Sequence, residues 1–255
     1  MRVLITGASG LIGTRLVRAL ESEHDLRLGD ICPSDDPRAV RLDVTQPESV
    51  RAAMQGVDAV VHTAIASGHE GDFEDDAFNQ RRFDVNVKGT WNVLEAARLA
   101  GVRRFVYTSS LTVVWGYPAP EWVASDAPAR PVGTYAVTKY LGEILCEQFA
   151  RSHRLSVVCL RIAKPIDLTD ATWKGRRLRP QWIAFPDLLE AYRLALVAPD
   201  IAFEIITVVG DSTRRRWDLS RAEQVLGYRP HHRLEDLGYE LGDENEPLMV
   251  PTAVR

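Results

Sequence analysis

The first thirteen residues constrain the fold of this chain most strongly. An apolar run at 3–5 predicts a buried strand, glycines follow at positions 7, 10 and 13, and an apolar helical pattern begins at Leu11. A strand, a glycine turn and a helix in this order present free backbone N–H groups to a phosphate. Gly7 permits the tight turn, Gly10 lets a pyrophosphate approach the backbone, and Gly13 lets the helix pack close to the strand. This turn therefore predicts a dinucleotide site.

An acidic residue, Asp30, ends the second predicted strand. A carboxylate at this place can accept both ribose hydroxyls of an adenosine and repels the 2′-phosphate of NADP. We therefore predict NAD as the cofactor. Arg38 follows nearby and keeps NADP as an alternative. Taken alone, Asp30 could equally be a solvated loop acid, and only its pairing with the glycines favours the functional interpretation.

Strand-like and helix-like segments alternate along the chain, which predicts a parallel sheet covered by helices on both faces. The predicted strands are 2–6, 26–30, 39–42, 58–63, 103–108, 156–161 and 203–208. The predicted helices are 11–22, 47–55, 76–100, 134–152, 186–198 and 218–226. We assign an α/β fold, a Rossmann-type doubly wound parallel sheet with a small C-terminal substrate-binding part. Residues 1–165 would form the nucleotide-binding domain with the catalytic residues, and 166–255 the substrate-binding part and a C-terminal strap packed on it.

Composition narrows the class of protein. The 255 residues are 45% hydrophobic and 26% charged, with a formal net charge of −4, which gives no reason to expect nucleic acid or an anionic membrane as a partner. The chain has no apolar run long enough to span a bilayer and begins with a strand rather than a signal peptide, so we expect a cytoplasmic protein. Its three cysteines and six histidines lack metal-ligand spacing, and we predict free thiols and no metal site.

A tyrosine and a lysine share one face of the predicted helix 134–152. Tyr135 and Lys139 are four residues apart, so the lysine charge can stabilise a phenolate and lower the pKa of the tyrosine. Such a phenol can take a proton from an alcohol as hydride leaves the same carbon. Ser110, just beyond the strand 103–108, could donate to the oxygen on which charge develops, with Ser109 as a competitor. The spacing alone is also compatible with an unpartnered surface pair.

Several motifs together resemble the short-chain dehydrogenase/reductase superfamily, in its extended, NAD-dependent epimerase/dehydratase branch. They cover roughly residues 1–165 in the family order. They are Thr6–Gly13, Asp43-Val44, His62–Ala64, Asn86–Ala97, Phe105–Ser110, Tyr135-x₃-Lys139 and Leu160-Arg161. The resemblance implies a catalytic triad of Ser110, Tyr135 and Lys139, and the position of Ser110 relative to the tyrosine favours it over Ser109.

The resemblance also implies a set of NAD contacts. Within it, Asp43 and Val44 would flank the adenine, and Asn86 would support the site from the neighbouring helix, although an asparagine there could simply cap that helix. The full set is Gly7, Gly10, Leu11, Ile12, Gly13, Asp30, Asp43, Val44, Thr63, Ala64, Asn86, Thr108, Tyr135, Lys139 and Ile162.

The C-terminal half is similar to uronate dehydrogenase-like members of this branch, through Trp182–Asp187, Arg216–Ser220 and Leu226–Pro230. The resemblance places Arg177 at the sugar carboxylate. The implied substrate contacts are Ser67, Ser110, Leu111, Thr112, Lys164 and Arg177. The chain departs from the pattern of that group at four positions, namely Leu11, Leu111, Thr112 and Lys164, which predicts a less hydroxylated and more apolar substrate.

We therefore predict an NAD-dependent oxidoreductase that transfers hydride between nicotinamide and a small sugar, sugar acid or related alcohol or lactol, with Tyr135 as general base. A sugar epimerase or dehydratase that retains its NAD would use the same triad and is the alternative. A non-catalytic nucleotide-binding regulator is less well supported, because the Tyr-Lys pair is present. By analogy with the family, helices 76–100 and 134–152 would pair two subunits in a homodimer.

Overall fold

Seven parallel strands form the central sheet in the computed structural model, which describes residues 1–69, 72–173 and 175–242. They are β1 (Arg2–Thr6), β2 (Asp25–Asp30), β3 (Ala39–Arg41), β4 (Ala59–His62), β5 (Arg104–Ser110), β6 (Ser156–Ile162) and β9 (Phe203–Val208). Their order across the sheet is β3-β2-β1-β4-β5-β6-β9. The two-residue strands β7 (Pro165–Ile166) and β8 (Ile183–Ala184) pair separately. The predicted doubly wound α/β fold is confirmed.

Seven α-helices cover the two faces of this sheet in the described ranges. They are α1 (Gly13–Leu20), α2 (Pro47–Ala53), α3 (Asp76–Arg82), α4 (Gly89–Ala100), α5 (Thr134–Ser152), α6 (Phe185–Val197) and α7 (Ser220–Leu226). Buried side chains of α1, α6 and α7 fill the core on one face, and those of α2, α4 and α5 fill the core on the other. The helix predicted at 76–100 is instead two helices, because the π-helical stretch Phe83–Lys88 separates α3 from α4.

Helix α5 lies unusually close to the sheet. A Cβ added at Gly142 would lie 2.0 Å from the Tyr107 hydroxyl oxygen on β5, so only glycine allows this approach. One turn earlier, the buried Lys139 ammonium donates to the Thr108 carbonyl oxygen at 2.7 Å. These contacts place the first turns of α5 beside the carboxyl end of β5.

A buried ion pair ties the same helix to two strands. The Arg161 guanidinium on β6 donates from Nε and Nη2 to the two carboxylate oxygens of Glu143 on α5, both at 2.8 Å. The Ser109 hydroxyl on β5 donates to the same carboxylate at 2.5 Å. The side chains of Arg161 and Glu143 are 6% and 1% exposed, so water contributes little to satisfying either charge.

Elements beyond residue 165 complete the sheet layers. Helix α6 packs on the sheet and on α1, and β9 pairs with β6 from Val157↔Phe203 to Ile162↔Val208. The predicted C-terminal strap falls almost wholly on residues 243–255, outside the described residues. Among the helices of the described ranges, none combines the length and apolarity that a bilayer span requires.

Glu143→Gln should lower the free energy of unfolding by about 3 kcal/mol, because it leaves a buried guanidinium without its countercharge. Urea unfolding followed by circular dichroism measures this change. Glu147→Gln on the same helix is the matched control, since Glu147 pairs with Arg151 on the surface and its loss should cost less than about 1 kcal/mol. Equal effects of the two substitutions would contradict a structural role for the buried pair.

Candidate active site

The three glycine positions of the turn after β1 have little or no room for a side chain. Gly7 adopts a positive φ of +72°, and its N–H donates to the Gly29 carbonyl oxygen on β2 at 2.8 Å. A Cβ at Gly13 would lie 2.2 Å from the Gly7 carbonyl oxygen, and one at Gly10 would lie 3.2 Å from it. The turn leads into α1, and just before that helix Leu11 is exposed and Ile12 half-buried. The absence of side chains at these glycines therefore lets the backbone segments of the turn approach one another closely, as the glycine spacing predicts.

Asp30 stands at the end of β2 beside this turn. Its carboxylate accepts the Ser9 N–H at 2.9 Å and the Cys32 N–H at 3.0 Å. Burial acts to raise the pKa of Asp30, but the hydrogen bonds from Cys32 and Ser9 outweigh it, and the pKa lies below its usual range. A cavity of about 620 Å³ opens between the turn and Asp30.

Arg38 also lines this cavity, but carboxylates neutralise its charge. Its guanidinium donates to Asp36 at 2.7 Å and to Glu21 at 3.0 Å, and these contacts raise its pKa. The lining of the cavity carries three carboxylates, those of Glu21, Asp30 and Asp36, and three arginines, Arg18, Arg38 and Arg41. The Asp30 carboxylate at the end of β2 favours NAD over NADP, whose additional phosphate it would repel.

Other predicted cofactor residues line the neighbouring strand ends. The Thr63 hydroxyl donates to the Thr6 carbonyl oxygen at 2.7 Å, and Ala64 lies against Gly7. Asp43 accepts both the N–H and the hydroxyl of Thr45. The predicted residues Val44 and Ile162 are buried, and Ile162 stands opposite Ser110 in the β5–β6 register.

Asn86 lies in the π-helical stretch and uses both ends of its amide within the protein. Its Oδ1 accepts the Ala66 N–H at 2.8 Å, and its Nδ2 donates to the Thr138 hydroxyl of α5 at 3.0 Å. It therefore joins the loop after β4 to α5, which is the supporting place expected of it.

Ser110, Tyr135 and Lys139 come together at the carboxyl end of β5. Tyr135 is half-buried in the first turn of α5, close enough to the Ser110 side chain for that side chain to lower its pKa. The Lys139 ammonium lies 5.9 Å from the centre of the Tyr135 ring. Ser109, the alternative serine, is buried and engaged by Glu143. Thr108 is likewise buried, and its hydroxyl shares a hydrogen bond with Tyr192.

The ionisation of this group differs from the sequence-based expectation. Burial raises the pKa of Tyr135 to about 12, against the lowering effects of Ser110 and of the Arg82 charge. Burial also lowers the pKa of Lys139 to about 7. The prediction that the phenol lies below its ordinary pKa is therefore wrong for the protein alone, because desolvation outweighs the effects that lower the pKa of Tyr135.

Arg82, at the end of α3, is a site residue that the sequence analysis missed. Its guanidinium carbon lies 3.8 Å from the Phe73 ring centre, 4.2 Å from that of Phe78 and 6.0 Å from that of Tyr135. Nη1 donates to Asn79 at 2.6 Å, whereas Nε and Nη2 have no hydrogen-bond partner in the described part of the chain. A buried cation thus faces the phenol from the side opposite the sheet. The phenylalanines around it were the available signal.

Of the predicted substrate contacts, Thr112 lies beside Ser110, whereas Ser67 and Lys164 are exposed near the ends of β4 and β6. Thr112 donates its N–H and its hydroxyl to the Ser110 oxygen, at 3.2 and 2.9 Å. Ser67 is exposed in the loop after β4, and Lys164 is exposed just beyond β6.

Two of those predictions need correction. The Leu111 side chain is 2% exposed and belongs to the core, because the 3₁₀ turn after β5 directs it inward. Arg177 is 74% exposed and pairs with Glu240 at 3.5 Å, so its charge is already engaged. Across residues 1–69, 72–173 and 175–242, no group of three or more His, Cys, Asp or Glu side chains could hold a metal ion.

Comparisons with known proteins agree with this geometry. Residues 3–184 match the model of the NAD dependent epimerase/dehydratase family. The chain is 32% identical to the L-arabinose 1-dehydrogenase (NAD(P)(+)) of Haloferax volcanii, over 90% of this chain and 96% of that protein. It is 30% identical to the NAD-dependent glucose-6-phosphate dehydrogenase of the same organism, over 96% of this chain and 97% of that protein.

A solved structure extends the likeness to the fold. A mutant of uronate dehydrogenase from Agrobacterium tumefaciens, complexed with NAD, superposes with a TM-score of 0.81 at 26% identity, covering 96% of this chain and 92% of that chain. The predicted family, fold class and cofactor are confirmed. The chain belongs to the NAD dependent epimerase/dehydratase family and is an NAD-dependent oxidoreductase.

Proposed function

We propose that this protein oxidises a small sugar, sugar acid or related lactol at an alcohol carbon, with Tyr135 as the general base. The observation that carries the proposal is the convergence of Tyr135, Lys139 and Ser110 at the carboxyl end of β5, where the Lys139 ammonium lies 5.9 Å from the Tyr135 ring centre and donates to the Thr108 carbonyl oxygen. In an open α/β sheet, ligands bind at this edge. By their names, the relatives act on a neutral sugar, a sugar phosphate and a uronate, so a sugar is their common feature.

The residues around the glycine turn fit NAD. The glycines let the turn fold tightly onto itself at the N-terminus of α1, where backbone N–H groups can hold a pyrophosphate. Asp30 would accept the adenosine ribose hydroxyls, and Lys139 would donate to those of the nicotinamide ribose. When bound, NAD supplies the hydride acceptor. Thr63, Ala64 and Ile162 would line the nicotinamide side.

Two hydroxyls orient the proton transfer. A serine hydroxyl has one proton and two acceptor lone pairs. Because Thr112 donates twice to the Ser110 oxygen, the Ser110 proton remains available for the substrate oxygen or for Tyr135. Tyr135 would take the proton of the substrate hydroxyl as the carbon is oxidised, and Ser110 would stabilise the charge on that oxygen.

Positive charge on both sides of the phenol makes this role possible. Lys139 lies on the sheet side and Arg82 on the side of the loop after β4, at 5.9 and 6.0 Å from the ring centre. A cation stabilises the phenolate, so both lower the free energy of the charged form that burial raises. A bound oxidised nicotinamide, which is itself positively charged, acts in the same direction.

The alternative epimerase or dehydratase reaction is not favoured. Such an enzyme would return the hydride to its substrate, whereas the relatives named above are dehydrogenases, which release reduced cofactor. A regulator without catalysis would have no use for the Tyr135–Ser110 pair. Net accumulation of NADH with a sugar distinguishes the three.

We also propose a homodimer formed through the face of α4 and α5. Apolar side chains are exposed there, namely Phe83, Trp91, Leu99 and Ile144, each at 43% or more. Light scattering should give the mass of two chains, and a single-chain mass would contradict the proposed homodimer.

We place the protein in the cytoplasm, consistent with its three free cysteines, and cell fractionation would test this location. Residues 166–255 would form the substrate-binding part and strap, apart from the helix α6 and the strand β9, which complete the sheet layers.

Asp30→Ala should weaken NAD binding by roughly tenfold and reduce discrimination against NADP, because the ribose loses a charged acceptor and the 2′-phosphate loses a repelling charge. Titration calorimetry with both nucleotides measures this. Asp25→Ala, at the opposite end of β2, is the control and should change neither affinity. An unchanged preference in Asp30→Ala would remove Asp30 from the site.

Tyr135→Phe should keep the affinity for NAD but lose turnover by about 100-fold or more, the usual contribution of a general base. NADH absorbance with uronic acids, aldoses and simple alcohols provides the rate, and calorimetry provides the affinity. Tyr140→Phe on the same helix is the control and should stay active. Full activity of Tyr135→Phe would refute the proposed base.

A further inference from the structure

Three cations and three tryptophans gather at the mouth of the candidate site. This cationic–aromatic cluster consists of Lys164, Arg176, Arg179, Trp115, Trp173 and Trp182. The Lys164 ammonium lies 4.7 Å from the Trp182 ring centre and 5.3 Å from that of Trp173. The Arg176 and Arg179 guanidinium carbons each lie 5.8 Å from a tryptophan ring centre, that of Trp173 and Trp115 respectively.

The described residues form no ion pair that neutralises the positive charge of the cluster. In the described part of the chain, neither Lys164, Arg176 nor Arg179 forms an ion pair, whereas the adjacent Arg177 pairs with Glu240. Asp170 feels the charge of Arg176 but bonds to Thr172. Burial and the charges of Arg179 and Arg176 lower the pKa of Lys164. Like charges held this close favour an anion between them.

The position of the cluster relates it to the reacting groups. Lys164 follows β6 by two residues, and the last residue of β6, Ile162, pairs with Ser110. Trp115 follows the 3₁₀ turn Leu111–Val114, which begins directly after Ser110. Lys164 and Trp115 therefore place the cluster at the same edge of the sheet as Ser110 and Tyr135.

We propose that the sugar oxidised at this site carries a phosphoryl group, which Lys164, Arg176 and Arg179 bind. A single carboxylate is satisfied by one bidentate arginine. A phosphate monoester carries a charge of about −1.5 to −2 at pH 7 and three strong acceptor oxygens, which matches three unneutralised cations. The tryptophans provide apolar walls for the sugar ring. This inference rests on the proposed sugar oxidation and assigns its substrate class.

The test uses glucose, glucuronate and glucose 6-phosphate as matched probes that differ only at carbon 6. Binding is measured by titration calorimetry on the NADH-bound protein, and oxidation by NADH formation from NAD. We expect glucose 6-phosphate to bind more tightly than the other two. Lys164→Gln and Arg179→Gln should each weaken its binding about tenfold or more and weaken the binding of glucose much less. Arg229→Gln, a surface arginine paired with Glu223, is the control.

The outcomes distinguish the phosphoryl assignment from the proposed sugar oxidation. Tighter binding of glucuronate than of glucose 6-phosphate, or a loss of binding in Arg177→Gln but not in Lys164→Gln, would overturn the phosphoryl assignment. Oxidation of glucose with no preference for the phosphate would also overturn it and leave the proposed oxidation intact. Cluster-dependent binding of glucose 6-phosphate without oxidation of any probe would instead support the phosphoryl site and count against the proposed reaction.

Discussion

The attachment of α5 to the sheet is the contact on which the rest of the site depends. Glu143 is held by Arg161 of β6 and by Ser109 of β5, and Lys139, one turn earlier, donates to the carbonyl oxygen of Thr108. These bonds are buried, so a displaced helix would leave a charge without compensation in the core. Their geometry fixes the rotation and height of α5, and thereby places Tyr135, one turn before Lys139, beside Ser110. The helix can approach this closely only because Gly142 has no side chain.

The burial that holds Tyr135 and Lys139 in place also disfavours the charged form of each side chain. Removing the phenol and the ammonium from water favours the neutral form of each, which raises the pKa of Tyr135 to about 12 and lowers that of Lys139 to about 7. The protein opposes this with a second cation, Arg82, held between two phenylalanine rings. Arg82 packs on Phe73, which lies in the loop after β4. The pKa of Tyr135 therefore depends on how that loop packs. A charged nicotinamide would add to the same balance, so cofactor binding and activation of the base are coupled.

Local patterns were sufficient to predict the sheet, the glycine turn and the pairing of Tyr135 with Lys139, since each depends on spacing within one or two consecutive elements. The long-range contacts could not be predicted in this way. The phenylalanines near Arg82 suggest packing among aromatic rings, but they do not show that Tyr135, more than fifty positions away, is one of these rings. The spacing that suggested Arg177 likewise does not show its pairing with Glu240. Burial of Leu111 likewise follows from the direction of a 3₁₀ turn. Such features are set by tertiary packing, which local periodicity does not encode.

The most direct test of this account is the ionisation of Tyr135 itself. With ¹³C label at the phenolic carbon of tyrosine and Tyr135→Phe for assignment, NMR titration gives the pKa of this one group. The account predicts a pKa well above 10 in the free protein, a higher one in Arg82→Met because the phenolate loses a cation, and a lower one when NAD is added. A pKa at or below 10 in the free protein, unmoved by NAD or by loss of Arg82, would contradict it.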